Sequence, residues 1–195
     1  MLKGGALYVE GAETIIPNIQ KLTDAARRNQ VLLISSGDFH APNDPEFQQF
    51  PPHCIKGTPG ADLLPEARAD KAVQIENTPE AKLPTDLHAY QQIILEKQTL
   101  DVFQSRHADE LLAGLGTEPE FIVFGVVTEF CVAYAVKGLL ERKRKVAVVQ
   151  DAIETLSPEA GKKCESDFQR LGARLVTTNE VLHELSSSNL TAHTS

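Results

Sequence analysis

Tryptophan is absent from this chain and cysteine is scarce, with Cys54, Cys131 and Cys164 the three present. An odd, widely spaced set of three makes no paired framework. That excludes a disulfide-stapled secreted fold and predicts a reducing, cytoplasmic setting. Positive charge is also short: 19 Lys and Arg stand against 27 Asp and Glu, a formal net charge of −8. A nucleic acid or an anionic membrane is therefore not the expected partner. No apolar run approaches the length of a membrane span, and MLKGGALYVEG lacks the apolar core of a secretory leader. What remains is ordinary for a globular protein, 42% hydrophobic and 24% charged over 195 residues. This suits one domain with a sizeable core.

The order of elements predicts an α/β fold. Residues 12–28 carry an apolar stripe of Ile15, Ile16, Ile19, Leu22 and Ala26 at helical spacing, with Pro17 bending or delaying the start. Short apolar strands are expected at 31–35, 72–75, 92–95, 121–127, 146–149 and 174–176, and helices at 108–115, from Thr128 onward, from Ser157–Pro158 onward and at 179–185. Strands alternating with helices make a mostly parallel sheet covered on both faces, a three-layer αβα sandwich. One domain over 1–185 and a disordered polar tail, SSSNLTAHTS, over 186–195 complete the expectation.

The stretch FIVFGVVTEFCVAYAVKGLLERKRK carries most of the chemical information. Phe121 to Val127 is a continuous apolar run, the pattern of a strand buried on both faces. Thr128 then fits a helix cap, which sets Cys131 in the first helical turn. There the helix dipole and free amides favour a thiolate and could hold an oxyanion. On this segment alone a nucleophile and a small packing residue are equally good readings. The sheet edge separates them. In parallel sheets ligands gather outside the carboxyl ends of the strands. Asp38 and His40, Lys97, and Cys131 each follow a strand on that edge. Lys97 near Cys131 would support the thiolate and a negative intermediate.

Asp38-Phe39-His40 points a carboxylate and an imidazole the same way from extended backbone. The following loop, APNDPEFQQFPPHC, adds Glu46 and His53. Asp38, His40, Glu46 and His53 together form a donor set suited to Zn²⁺, Fe²⁺ or Mn²⁺ with positions left for water or substrate. An exposed polar loop is the competing reading, and a D-x-H triplet alone would not overcome it. Cys54 is expected to pack rather than ligate, Cys164 to lie in the core, and Asp151 to cap a loop.

The sequences GGALYVEGAETIIPNI, the D-x-H pair, FPPHCIKGTPGADL, the strand-end Lys97 and GVVTEFCV together resemble the isochorismatase-like cysteine hydrolases, and the D-x-H…E…H loop resembles their nicotinamidase branch. The likeness runs from Gly4 to about Leu182. It implies a carboxamide substrate such as nicotinamide, converted to acid and ammonia through an acyl group on Cys131, with Lys97 in support. It implies a cis peptide at Val126–Val127 and an oxyanion hole of the Val127 and Cys131 amides. It further implies a metal at Asp38, His40, Glu46 and His53 that holds a ring nitrogen, with Phe39 and Phe50 flanking a flat ring. Expected partners are a small-molecule amide and, at most, further copies of the chain in a homo-oligomer.

The family's first strand, ending in a D-x-Q-x-D-F-like motif with the triad aspartate, has no counterpart before GGALYV. A sheet lacking that strand is expected, with the true start upstream of Met1. The alternatives are another amidase or carbamoyl hydrolase of the superfamily, and an N-terminally truncated, non-catalytic protein.

Overall fold

A computed structural model describes residues 2–192. Its strands are β1 (Leu33–Asp38), β2 (Ala72–Ile75), β3 (Gln92–Lys97), β4 (Glu120–Val126), β5 (Lys145–Glu154) and β6 (Arg174–Val176). Its helices are α1 (Ile16–Arg27), α2 (Ala108–Gly114), α3 (Ala133–Glu141), α4 (Pro158–Leu171) and α5 (Thr178–Ala192). Every strand pair is parallel, as expected of strands joined through helices.

Alternation along β5 builds the layers. Val146 and Val148 meet Val136 and Leu139 of α3 and Phe168 of α4. Ala147 and Val149 turn the other way, toward Leu22 of α1 and Val181 of α5. Helices therefore cover both faces, giving the αβα sandwich. Ser157 caps α4 through its Oγ, which accepts from the Ala160 amide, with Pro158 opening the helix. Asp151 caps α5: its Oδ1 accepts from the amide and the hydroxyl of Thr178, both at 2.8 Å.

The ladder divides into two sheets of three strands, ordered β1-β3-β2 and β4-β5-β6. Among the described residues, β1 and β2 each pair only with β3, and β4 and β6 only with β5, so each sheet has two edge strands and β4 is one of them. This corrects the expectation that 121–127 is buried on both faces. All seven residues of β4 are half-buried, whereas all six of β3 are buried. The apolar run is genuine, but the strand lies at an edge. Side chains bridge the halves where the backbone ladder does not. Phe103, in a short turn after β3, packs into both the α2–β3 cluster and the α3–β5 cluster. The Arg142 guanidinium stacks 3.9 Å from its ring centroid and also pairs with Asp109 of α2.

Two boundaries differ from the sequence pattern. Residues 128–132 form a π-helical turn before α3, and Thr128 does not cap it. Its hydroxyl donates instead to the Glu154 carbonyl at 2.8 Å, fastening the turn to the end of β5. In α5 the helix continues past Leu185 to Ala192, which corrects the expectation of disorder for 186–192. Ser186 and Ser187 donate to the carbonyls of Leu182 and His183, so these polar residues are accommodated within the helix. The rest of the expected tail, 193–195, lies outside the described residues.

Candidate active site and metal centre

The strand ends converge as the α/β rule requires. Asp38 closes β1 and is in register with Lys97 at the end of β3. Lys97 is 2% exposed and its ammonium uses all three donors. They go to Asp38 Oδ1, to the Thr99 carbonyl at 3.0 Å and to the Cys131 sulfur at 3.5 Å. Three partners fix one rotamer of a buried side chain, so the lysine is not a snorkelling surface residue.

Cys131 reaches this point because of the turn before it. The β4–β5 register is irregular between Val123 and Gly125 and resumes with Gly125 and Val126 opposite Ile153 and Glu154. Gly125 has φ +123°, a conformation side chains disfavour. The Val126–Val127 peptide that follows is cis, where the resemblance placed it. The Val127 carbonyl then accepts from the amides of Phe130 and Val132, winding the π-turn that carries Cys131. Glu129 secures the other side. Its Oε1 accepts from the Thr155 hydroxyl at 2.5 Å and from the amides of Leu156 and Ser157 at 3.0 and 3.2 Å. Sequence reasoning did not single out Glu129, because a carboxylate in a helical first turn reads as a surface group.

The electrostatics modify the expected thiolate. Burial pushes the Cys131 thiol up; Lys97 pulls it down, Asp38 adds to the rise, and burial prevails. Burial also works against the charge on Lys97, but Cys131 and Asp38 outweigh it and hold the ammonium above its ordinary range. At neutral pH the pair rests as thiol and ammonium.

The metal-loop donors assemble beside this pair. Asp38, His40 and His53 each offer an atom within 4.8 Å of the others. His40 is fully buried and His53 is 6% exposed. Their rings meet edge to face at 4.7 Å. The loop is clamped twice: the His40 amide donates to the Cys54 carbonyl, and the Lys56 amide donates back to the His40 carbonyl, both at 2.9 Å. Lys56 also pairs with buried Glu96 at 3.0 Å and with Glu76 at 2.7 Å.

The donor set fits a divalent cation. The His40 Nε2 is buried without a hydrogen-bond partner, and a neutral imidazole in that condition is a vacant ligand. The His53 Nδ1 lies 2.9 Å from the Pro51 carbonyl, which leaves its Nε2 as the free donor. Glu46 does not join the mutual cluster; its Oε1 stands 3.7 Å from His53 Nε2. Cys54 packs against the Phe39 cluster, as expected.

The two aromatic residues separate. Phe50 is half-buried, its ring 6.3 Å from that of His53, at the margin of the site. Phe39 is buried with Ala61 and Ile94, on the face of the strand away from Asp38 and His40. The alternation that aims Asp38 and His40 together directs Phe39 into the core, which corrects its expected place beside a substrate ring. Phe47, not anticipated from the sequence, packs beside both histidines, 5.4 Å from the His40 ring and 5.6 Å from that of His53. Asp44, also not anticipated, approaches the His40 Nδ1 at 3.0 Å.

A family model described as the isochorismatase domain matches residues 1–77 and 66–180. The nicotinamidase of Escherichia coli (strain K12) is 23% identical over 196 residues, covering 89% of this chain and 88% of that protein. An isochorismatase-like hydrolase from Alkaliphilus metalliredigens superposes with TM-score 0.75 at 23% identity, covering 94% of this chain and 91% of its own. The pyrazinamidase of Pyrococcus horikoshii in complex with zinc superposes with TM-score 0.71 at 23% identity, covering 90% and 92%.

Proposed function

The chain belongs to the isochorismatase-like hydrolase family, and from that premise we propose that it is a metal-dependent amidase converting nicotinamide, or a similar heteroaromatic amide, to the acid and ammonia. The observation that carries this reading is that one residue serves two groups. Asp38 accepts from Lys97, which reaches the Cys131 sulfur, and Asp38 also stands with His40 and His53 in the cation site. A nucleophile and a cation site that share a residue are built to act on one small molecule. The named relatives, a nicotinamidase and a zinc-bound pyrazinamidase, support an amide substrate with a nitrogen ring.

The Cys131 sulfur adds to the carboxamide carbonyl, and its proton passes toward the Lys97–Asp38 pair. The Val127 and Cys131 amides face the developing oxyanion, and Lys97 counters its charge. Collapse breaks the C–N bond; ammonia leaves with the proton taken from the thiol, and a thioester remains on Cys131. Water then attacks the thioester, releasing the acid and restoring the thiol. Asp38 is the acid/base carboxylate the chain offers for both transfers, a task that elsewhere contributes roughly 10²–10⁴-fold. Asp38, His40 and His53 would hold the divalent metal, with Glu46 at the margin. When bound, that ion supplies a Lewis-acidic point that fixes a ring nitrogen and so orients the carbonyl toward sulfur. Phe50 would border the ring.

Coupled detection of ammonia tests the proposal directly. Nicotinamide and pyrazinamide should release ammonia in the metal-loaded protein, and the Cys131→Ala variant should not. Turnover of a non-aromatic carbamoyl compound, with none on either ring amide, would transfer the chain to another branch of the family.

A further inference from the structure

We infer that Asp44 is a positioning residue for the metal centre: facing the His40 Nδ1, it keeps the proton on that nitrogen and so reserves Nε2 as the donor. The inference rests on the metal half of the proposed function and goes beyond it to a residue outside the donor set.

The two histidines are held differently. His53 presents its Nδ1 to a neutral carbonyl, that of Pro51, at 2.9 Å. His40 presents its Nδ1 to the Asp44 Oδ2 at 3.0 Å, in a contact that is oblique rather than a straight hydrogen bond. Obliqueness does not weaken the argument, because the alternative is worse. A lone pair on Nδ1 would lie 3.0 Å from a carboxylate oxygen, too close for any molecule to stand between them. The proton belongs on Nδ1, and Nε2 keeps its lone pair. Phe47 and His53 also pack on the ring, and Asp38 brings its carboxylate within 4.8 Å of a His40 nitrogen as a member of the cation cluster.

Asp44 is itself fixed. Its side chain is 11% exposed, and its Oδ1 accepts from the Glu46 amide at 2.9 Å. That bond caps the short turn of Pro45–Gln48, which carries Glu46 and Phe47. One oxygen thus anchors the turn while the other faces the histidine. A carboxyl group is ionised at neutral pH at its ordinary value. The group facing His40 is an anion at neutral pH.

The two oxygens can be separated by substitution. Asp44→Asn retains an acceptor for the Glu46 amide but turns an N–H₂ toward His40. Either the ring then moves its proton to Nε2, which blocks the ligand, or two donors collide. Asp44→Ser retains a cap and removes the carboxylate from the ring. Both variants should fold, judged by thermal unfolding of the metal-free protein. Both should bind Zn²⁺ about 10–100-fold more weakly in competition with a chelator, the usual effect of losing such a partner. In the Co²⁺-loaded protein, the shifted exchangeable Nδ1–H proton of His40 should move or vanish in both. Zn²⁺ affinity within twofold of the unaltered chain, with that proton unchanged, would reduce Asp44 to a turn cap and overturn the inference. An unaltered chain that takes up no ion overturns this inference together with the metal half of the proposed function. An unaltered chain that binds ion tightly yet releases no ammonia leaves this inference standing and removes the amidase reading.

Discussion

The two parts of the site are built from different material. Lys97 ends a strand buried along its whole length, and Cys131 sits on a turn fastened by Glu129, Thr128 and the Val127 carbonyl. The cation donors beyond Asp38 lie on a loop of irregular backbone, tied down by the His40–Cys54–Lys56 exchange and by Lys56 on Glu96. Bond making is assigned to rigid strand ends, where position is enforced by packing. Recognition of the ring is assigned to a loop whose geometry depends on a few polar contacts. Substitutions in the first part should change chemistry without changing ion binding, and those in the second should do the reverse.

The sharpest test is Cys131→Ala. Ammonia release should fall to background while Zn²⁺ affinity stays within about twofold, since no donor of the cluster is touched. Loss of Zn²⁺ binding in this variant would merge the two parts into one. The converse substitution, His53→Ala, should lower bound metal by elemental analysis by about 10-fold or more. It should leave the rate at which iodoacetamide alkylates Cys131 nearly unchanged, and unaltered metal content would remove His53 from the site. The smallest effect concerns pH. Burial favours the neutral thiol, so thiolate forms only above the ordinary thiol range. Alkylation of Cys131 should therefore keep rising with pH where an exposed cysteine has levelled. Lys97→Met removes the charge that pulls the thiol down and should displace that rise further upward. A profile levelling at lower pH than an exposed thiol would contradict the burial argument.

Much of this was legible from residue order, for identifiable reasons. The strands at 72–75 and 174–176 have the bounds the apolar pattern gives them, because period and length alone decide there. Convergence of Asp38, Lys97 and Cys131 follows from parallel topology, which does not depend on detail. The misreadings share a cause: each required knowing what lies across space. An apolar run looks the same in a central strand and at an edge, so the exposure of β4 was hidden. Thr128 resembles a cap until the Glu154 carbonyl is known to be nearer. Phe39 resembles a ring-flanking residue, although the period of two that pairs Asp38 with His40 excludes it. Asp44 and Glu129 act by facing partners that no local motif predicts.

Lys97 belongs to one three-stranded sheet and Cys131 leaves the other, so their 3.5 Å contact spans two bodies that share no backbone ladder among the described residues. A Cβ added at Gly138 would meet the Phe103 ring at 2.2 Å, so the ring is seated directly on α3, the helix that continues from the Cys131 turn. The aromatic wedge therefore works as a spacer. Packed into both clusters, it helps hold the two bodies on which the sulfur and the ammonium stand.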